Sequence, residues 1–272
     1  KGEKQPLTTF LKSDFKKAIV GVVIAGRLKS SRLPKKAILK VNEELTSIEL
    51  CQKNCLSIKD VDHVVLATST DAQDEPLKNH IFPGVKFHRG HPVDVIERYL
   101  DVIDQYGIDI IIRITADCPY PSAEAVELML KSHFETGADY TEATGGALGS
   151  LPQIINSEAL KRIKKLFGNT DYSEYMNGYL IHNPDVFKLN YIDLPEELKS
   201  NHRLTLDYEN DLDLIKEVEN YLYKNNLNYT YKEVIKFLDN NPKIASLNAN
   251  NSIVYKADPE LVEKIRIATT LK

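Results

Sequence analysis

The amino-acid sequence predicts an α/β protein built on a mostly parallel central sheet with helices on both faces. Three observations lead there. Short runs rich in β-branched residues, beginning with Ile19-Val20-Gly21-Val22-Val23-Ile24, are apolar at consecutive positions, as strands buried on both faces are. These runs alternate with stretches whose apolar residues recur at helical spacing, the order of β-loop-α units. The turns after the first, second and fourth runs carry cations, hydroxyls and a carboxylate, and ligands of such sheets bind beyond the strands' carboxyl ends.

Residues 1–17 (KGEKQPLTTFLKSDFKK) hold no core pattern and read as an N-terminal extension or linker. Ile19 to Ile24 is the first strand. Thr46 to Ser57 reads as a helix with Ile48, Cys51, Cys55 and Leu56 on one face. Val61 to Thr68 is a second strand, Pro76 to Ile81 a short helix and Val85 to Arg89 a third strand. Val93 to Tyr106 is a helix, its apolar stripe running from Val95 and Ile96 through Tyr99 to Tyr106. Asp109 to Thr115 is a central strand, and Ser122 caps a helix reaching Glu135. Ala138 to Thr141 is a short strand. Glu142 to Pro152 (EATGGALGSLP) is glycine-rich without the spacing of a phosphate-binding or dinucleotide fingerprint, so it reads as a substrate-side loop or a simple turn. Next come a helix over Asn156 to Leu166 and strands over Phe187 to Ile192 and Arg203 to Leu206. Helices over Asn210 to Tyr223, Tyr231 to Asn240 and Pro259 to Ala268 follow. One domain over residues 18–250 and a helical tail over 251–272 result.

The 272 residues are 42% hydrophobic and 27% charged, ordinary for one large α/β domain with a proper core. A net charge of −4 argues against a nucleic-acid partner, which selects a basic face across a domain. No apolar run approaches the ~18–20 residues of a membrane span, and no secretory pattern opens the chain. Three cysteines make no disulfide framework, and no CxxC pair suggests zinc. The expectation is a cytoplasmic protein. Dimerisation, and a further domain upstream of residue 1, stay open.

The chemistry points to the loop after the first strand. Arg27, Lys29, Arg32, Lys35 and Lys36 crowd into it, with Ala25, Gly26, Ser30 and Ser31 between or before them. Arginine forks and lysine point charges hold phosphate oxygens, and backbone N–H groups close in where side chains are small. A solvated basic loop is the plainer alternative. Thr68, Ser69 and Thr70 end the second strand on the same edge and could hydrogen-bond a base or ribose. Asp117 follows the fourth strand, where a carboxylate can hold Mg²⁺ through one oxygen while phosphates fill other positions; an ordinary turn aspartate is the alternative. Asp207 ends RLTLD and precedes a helix, so it either shares that cation or caps the helix. Arg113 is the sole charge in DIIIRIT and must reach a partner.

The loop reads A-x-R-x-x-S-S-R-L-P-x-K. With VVLATSTDAQDEPL, FHRGHPVDVIERY, IIRITADCPYPSAEAVE, HRLTLDYENDLDLIKEV and NPKIASLNAN, it resembles the sugar cytidylyltransferases, most closely the spore-coat-polysaccharide (SpsF-type) branch, across roughly residues 18–250. The acylneuraminate and ketodeoxyoctonate cytidylyltransferases are related. The resemblance implies a nucleotide-diphospho-sugar transferase (GT-A, Rossmann-like) fold. It implies transfer of CMP from CTP to a sugar, sugar-phosphate or related acceptor, with pyrophosphate released, for surface-glycan synthesis. Residue by residue, it implies Mg²⁺ on Asp117 and Asp207, a triphosphate cradle at Arg27, Ser30, Ser31, Arg32 and Lys36, and charge stabilisation by Lys36. Asp94 and Arg98 match a helix near the acceptor, although an i,i+4 ion pair explains them equally. Glu174 is kept where the family carries a Glu-His pair, and Tyr175 replaces the histidine. Glycines usual in the family are Lys29 and Lys35 here, and Tyr208-Glu209 stand where Thr-Pro is common.

Three rival readings remain: a nucleotidyltransferase using another nucleotide, a glycosyltransferase on a similar fold, and a non-catalytic nucleotide binder. A glycosyltransferase Asp-x-Asp should close a central strand. Here Asp60-Val61-Asp62 precedes a strand and Asp211-Leu212-Asp213 falls in a helix.

Overall fold

The computed structural model describes residues 17–30, 32–252 and 258–271. The extension expected over residues 1–17 lies outside them except for Lys17, as does Ser31 of the basic loop. In chain order the elements are β1 (Val20–Ala25), α1 (Ser47–Cys55), β2 (His63–Ser69), β3 (Lys86–Gly90), α2 (Val95–Tyr106), β4 (Ile110–Thr115), α3 (Ala123–Thr136), β5 (Tyr140–Thr144), β6 (Gln153–Asn156), α4 (Ser157–Phe167), α5 (Asn177–Ile181), β7 (Leu189–Asp193), α6 (Glu209–Lys224), α7 (Tyr231–Asn240), α8 (Pro242–Ala245) and α9 (Pro259–Thr269). The expected short helix after β2 is a 3₁₀ stretch, Ala72–His80, with Pro76 inside it. Proline lacks the N–H that an α-helix would need there.

The seven strands form one sheet in the order β3-β2-β1-β4-β6-β5-β7. All neighbours are parallel except β6, which runs antiparallel between β4 and β5. The two sheet faces sort alternate residues of each strand. Val20, Val22 and Ile24 of β1 and Ile110, Ile112 and Ile114 of β4 face α1, α3, α6 and α7. Val23 and Ile111 face α2, α4 and α5 on the other side. Every apolar side chain from Val20 to Ile24 is at most 2% exposed, which is why the run carries no polar alternation.

Caps set the helix starts. Thr46 and Glu49 form a capping box on α1, and the Ser122 hydroxyl accepts the Ala125 N–H at 3.1 Å on α3. Such caps each contribute about 0.5–2 kcal/mol. Asp94 caps α2 by accepting the Glu97 N–H, so the helix starts at Val95 rather than Val93.

The structure corrects the second half in two places. The helix expected from Asn156 is preceded by β6. Ile154 and Ile155 are fully buried because the antiparallel insertion places one on each face of the sheet. Arg203 to Leu206 is not a strand: it makes an isolated bridge, Leu148 to Arg203. The Leu148 N–H donates to the His202 carbonyl and the Leu204 N–H to the Leu148 carbonyl. The glycine-rich stretch therefore joins β5 to β6 and clamps the segment that leads to Asp207. Gly149 makes the clamp fit. Its φ is +89°, and a Cβ there would lie 2.8 Å from Thr205 Cβ and 2.9 Å from the Thr205 backbone nitrogen. Left-handed strain and a backbone clash act together in Gly149→Ala, which is expected to lose about 1–3 kcal/mol of stability. Urea denaturation of the two proteins checks it, and an unchanged midpoint would show that the clamp yields freely.

Candidate active site

The basic loop leaves β1 over the carboxyl edge of the sheet. Gly26 is buried there with its N–H donating to the Ala67 carbonyl at 3.1 Å, and a Cβ on it would sit 3.2 Å from Leu66 Cδ1 and 3.4 Å from Ala116 Cβ. Ala25, half-buried, accepts the Ala116 N–H. The loop is next held by Asp74, 2% exposed. One oxygen of Asp74 accepts the Leu28 N–H at 2.6 Å, and the other accepts the Ser69 hydroxyl. Lys36 then opens a short 3₁₀ turn, preceded by Lys35 in left-handed backbone (φ 54°).

Asp117 stands two residues past β4. One of its oxygens accepts the Thr115 hydroxyl at 2.6 Å. Its carbonyl accepts the Leu206 N–H at 2.8 Å and the Thr205 hydroxyl at 3.1 Å, so the segment before Asp207 is stitched to it. Asp207 is fixed from behind. The Arg203 guanidinium donates to Asp207 Oδ2 at 2.8 Å and to Asp211 Oδ1 at 2.9 Å. Asp211 is fully buried, and its second oxygen accepts the Asp207 and Tyr208 N–H groups.

These anchors bring three distant segments to one point. Lys36 Nζ lies 2.8 Å from Asp117 Oδ2 and 2.9 Å from Asp207 Oδ1, and Arg32 Nη2 lies 2.6 Å from Asp207 Oδ1. Tyr208, where the resembling family commonly has threonine, lies under two guanidinium groups, Arg32 at 5.4 Å and Arg203 at 5.8 Å from its ring centre. Burial pulls the Lys36 ammonium down, but the two carboxylates outweigh it and hold its pKa above the usual lysine value. Burial pushes Asp207 up, and the Lys36 and Arg32 cations outweigh that and hold it below the usual carboxylate range. Asp117 and Asp207 together are a hard oxygen donor set. Among the described residues no cluster of three or more His, Cys, Asp or Glu side chains could hold a metal. A magnesium ion, which keeps waters and substrate phosphates beside one or two carboxylates, fits such a pair.

Other predicted residues fall around this centre. Arg27 reaches Glu174 with Nη2 to Oε2 at 2.7 Å, both half-exposed. Arg113 lies opposite Gln153 in the β4–β6 register and donates to its side chain at 2.8 Å and to the Glu174 carbonyl at 2.9 Å. It lines a cavity of about 90 Å³ with Thr115, Cys118, Ser150 and Gln153. Arg113 Nε is buried without a hydrogen-bond partner. Ser30 is half-buried, Thr70 exposed and Thr68 fully buried. Thr68 Oγ1 has no hydrogen-bond partner. The Ser69 hydroxyl is committed to Asp74. Asp94 and Arg98 make no ion pair with each other. Asp94 binds Lys164 at 2.9 Å and the Thr170 hydroxyl, while the buried Arg98 guanidinium donates to the His91 and Pro92 carbonyls. Both thereby brace the start of α2. Neither Asp-x-Asp sequence forms a metal pair. Asp62 accepts the Val20 N–H at the opposite edge of the sheet, and Asp211 is spent on Arg203 and the start of α6.

The sequence pattern of the cytidylyltransferase family matches residues 21–244, which includes all of β1 but Val20 and every carboxylate and cation of this cluster. The chain belongs to the cytidylyltransferase family. Its chemistry is nucleotidyl transfer. It is 30% identical over 233 residues to the spore coat polysaccharide biosynthesis protein SpsF of Bacillus subtilis, covering 82% of this chain and 95% of that one. A cytidylyltransferase from Leptospira borgpetersenii superposes with a TM-score of 0.73 at 27% identity, over 87% of this chain and 99% of the other. A CMP-2-keto-3-deoxy-manno-octonic acid synthetase, solved with CTP, shares the fold at a TM-score of 0.58 and 14% identity, over 75% and 99% of the two chains. The fold is thus that of the nucleotidyltransferases. Among the described residues no helix is long and apolar enough to cross a membrane.

Sequence reasoning missed Asp74, Arg203 and Asp211. Asp74 is expected to be the most consequential, since Asp74→Ala leaves the Leu28 N–H and the Ser69 hydroxyl hydrogen without acceptors in a buried place. A loss of about 1–3 kcal/mol per orphaned group follows, together with weaker nucleotide binding; thermal denaturation and nucleotide titration check both. The pH dependence follows from the cluster. Asp207 is held below its unfolded pKa, so its contribution to stability is present above about pH 4 and is lost as pH falls through the lower folded value. Lys36 is held above its own, so its share is present below about pH 10 and is lost as pH rises through the higher folded value. Asp207→Asn should therefore show a shallower acid decline below about pH 4 in urea midpoints across pH 2–7, and an unaltered acid limb counts against this origin.

Proposed function

We propose that the protein transfers CMP from CTP to a sugar, sugar phosphate or similar acceptor and releases pyrophosphate, with Mg²⁺ held by Asp117 and Asp207. The observation that carries this reading is the meeting of Lys36 and Arg32 with both aspartates beyond the carboxyl ends of β1 and β4. The family, the SpsF relative named for spore coat polysaccharide synthesis, and the CTP bound by the octonic acid synthetase support it. They favour a role in making surface glycans.

When bound, the cation supplies positive charge to the triphosphate. The chain's own groups do the rest. Arg27, Ser30, Arg32 and Lys36 line the approach of the phosphates, and Ser31 belongs to the same loop in sequence. Lys36 stabilises the charge that grows as the α-phosphorus is attacked. Asp74 pins the loop through the Leu28 N–H and so fixes where its cations begin. Of Thr68, Ser69 and Thr70, the exposed Thr70 is the one left on that edge to hydrogen-bond the base or ribose. The cavity lined by Arg113, Thr115, Cys118 and Gln153 receives the acceptor. In-line attack then needs only positioning and charge stabilisation, as in other phosphoryl-group chemistry.

Pyrophosphate release measured with CTP, Mg²⁺ and a panel of acceptors tests the proposal. Asp117→Asn is expected to lower the rate by about 10²–10³-fold, the size of one preorganised electrostatic contact. Thermal stabilisation should be largest with CTP. Equal stabilisation by ATP, GTP, UTP and CTP would remove the cytidine assignment, and undiminished turnover by Asp117→Asn would remove the metal assignment.

A further inference from the structure

We propose that the Lys36 ammonium is the resident counter-cation of the Asp117–Asp207 pair. It holds the place that a divalent cation takes on arriving with the triphosphate, so the nucleotide-free protein rejects divalent cations. The inference rests on the reading of this cleft as a nucleotidyl-transfer site and concerns how that site is guarded.

Each carboxylate has one oxygen held by the segment behind it and one turned toward the basic loop. Asp117 Oδ1 accepts the Thr115 hydroxyl at 2.6 Å and Asp207 Oδ2 accepts Arg203 at 2.8 Å. Asp117 Oδ2 and Asp207 Oδ1 face one point, and Lys36 Nζ fills it at 2.8 and 2.9 Å, while Arg32 Nη2 shares Asp207 Oδ1 from the side of the loop at 2.6 Å. These are hydrogen-bond lengths. Magnesium bound to the same two oxygens needs ~2.0–2.1 Å, so the pair must close slightly, and it cannot while the ammonium is between them.

Charge counting gives the same answer. Asp117, Asp207 and Asp211 stand against Lys36, Arg32 and Arg203, and each ion pair is at most 2.9 Å long except Arg203 Nη2 to Asp211 Oδ2 at 3.3 Å. The cluster is already neutral. A divalent cation entering alone would leave two positive charges in a partly desolvated place, which costs free energy. A triphosphate changes the balance because its oxygens draw Lys36 and Arg32 off the carboxylates. The lysine's flexible four-carbon stem lets the ammonium leave while its turn stays put. Metal and triphosphate then exchange partners with the chain: one takes the aspartates, the other the cations. Their binding is coupled through a residue that touches both, and such coupling is reciprocal.

The test uses manganese alone, without nucleotide, titrated by electron paramagnetic resonance into folded protein. Wild-type protein should bind Mn²⁺ weakly at this site. Lys36→Met should bind one Mn²⁺ tighter by about 5–150-fold, the usual range of coupling between linked sites. Lys36→Gln should do the same, so the result does not depend on one variant folding. Lys36→Met with Asp207→Asn should lose the gain. Equal or weaker Mn²⁺ binding in the Lys36 variants overturns the inference, as does a gain that survives Asp207→Asn. Pyrophosphate release by wild-type protein separates the two readings. Turnover without the Mn²⁺ gain sinks only the counter-cation role. The gain without any turnover keeps the counter-cation role and removes the proposed reaction.

Discussion

The contact on which the arrangement depends is the bridge from Lys36 to Asp117 and Asp207, residues 81 and 171 positions away along the chain. Like charges cannot be held this close without a cation between them, because two carboxylates sharing one site repel and one would take up a proton. The fold supplies each partner from a different device. β1 delivers the cation through a loop pinned by Asp74. β4 delivers Asp117 at a strand end. The clamp of Leu148 on residues 202–204 delivers Asp207, and Arg203 with Asp211 fixes its angle.

The layered architecture explains why this edge is available. Helices cover both sheet faces, and the apolar side chains of β1 and β4 are spent on the two cores. Only the strand ends remain for polar work. The antiparallel β6 adds a second feature to that edge, since it brings Gln153 beside Arg113, and both line the cavity with Thr115 and Cys118. A parallel strand in that position would require a crossover connection; the glycine-rich turn instead lets β5 fold straight back. Gly149 of the same turn packs on Thr205 and lines the cavity, so the cavity and the segment before Asp207 share one support.

Much of the first half was legible in the sequence. Runs of consecutive apolar residues told the buried parallel strands, and the position of charges after those runs told the working edge. The second half was harder for identifiable reasons. β6 is four residues long and continues directly into α4, so its apolar residues merged with the helical pattern. Arg203 to Leu206 has strand-like composition, but its hydrogen bonds go to a loop and to Asp117, and no pattern of residues announces such partners. Asp74 was invisible for the same reason: its task is to hold a loop 46 residues earlier. Arg203 lay inside a motif already noticed, and its place four residues before Asp207 was the available signal. Asp94 and Arg98 differ from the ion pair that their helical spacing offered: the side chains go to Lys164, Thr170 and the carbonyls before α2.

Two departures from the resembling family's pattern bear on how far the loop's shape depends on its residues. Lys35 stands where glycine is usual, and its backbone is left-handed, at φ 54° and ψ 29°. A residue with a Cβ gives up about 1–2 kcal/mol in that region. The conformation is nevertheless kept, so the turn is imposed by its surroundings rather than by glycine's freedom. The surroundings are visible: Asp74 holds the loop before the turn, and the Lys36 ion pairs hold it after. Tyr208 is the second departure, and its ring lies within reach of Arg32 and Arg203. An aromatic face there attracts guanidinium groups, by about 0.5–2 kcal/mol each, and so adds to the forces drawing the basic loop over Asp207. The loss of glycine loosens nothing because ion pairs and an aromatic platform restrain the same segment from outside.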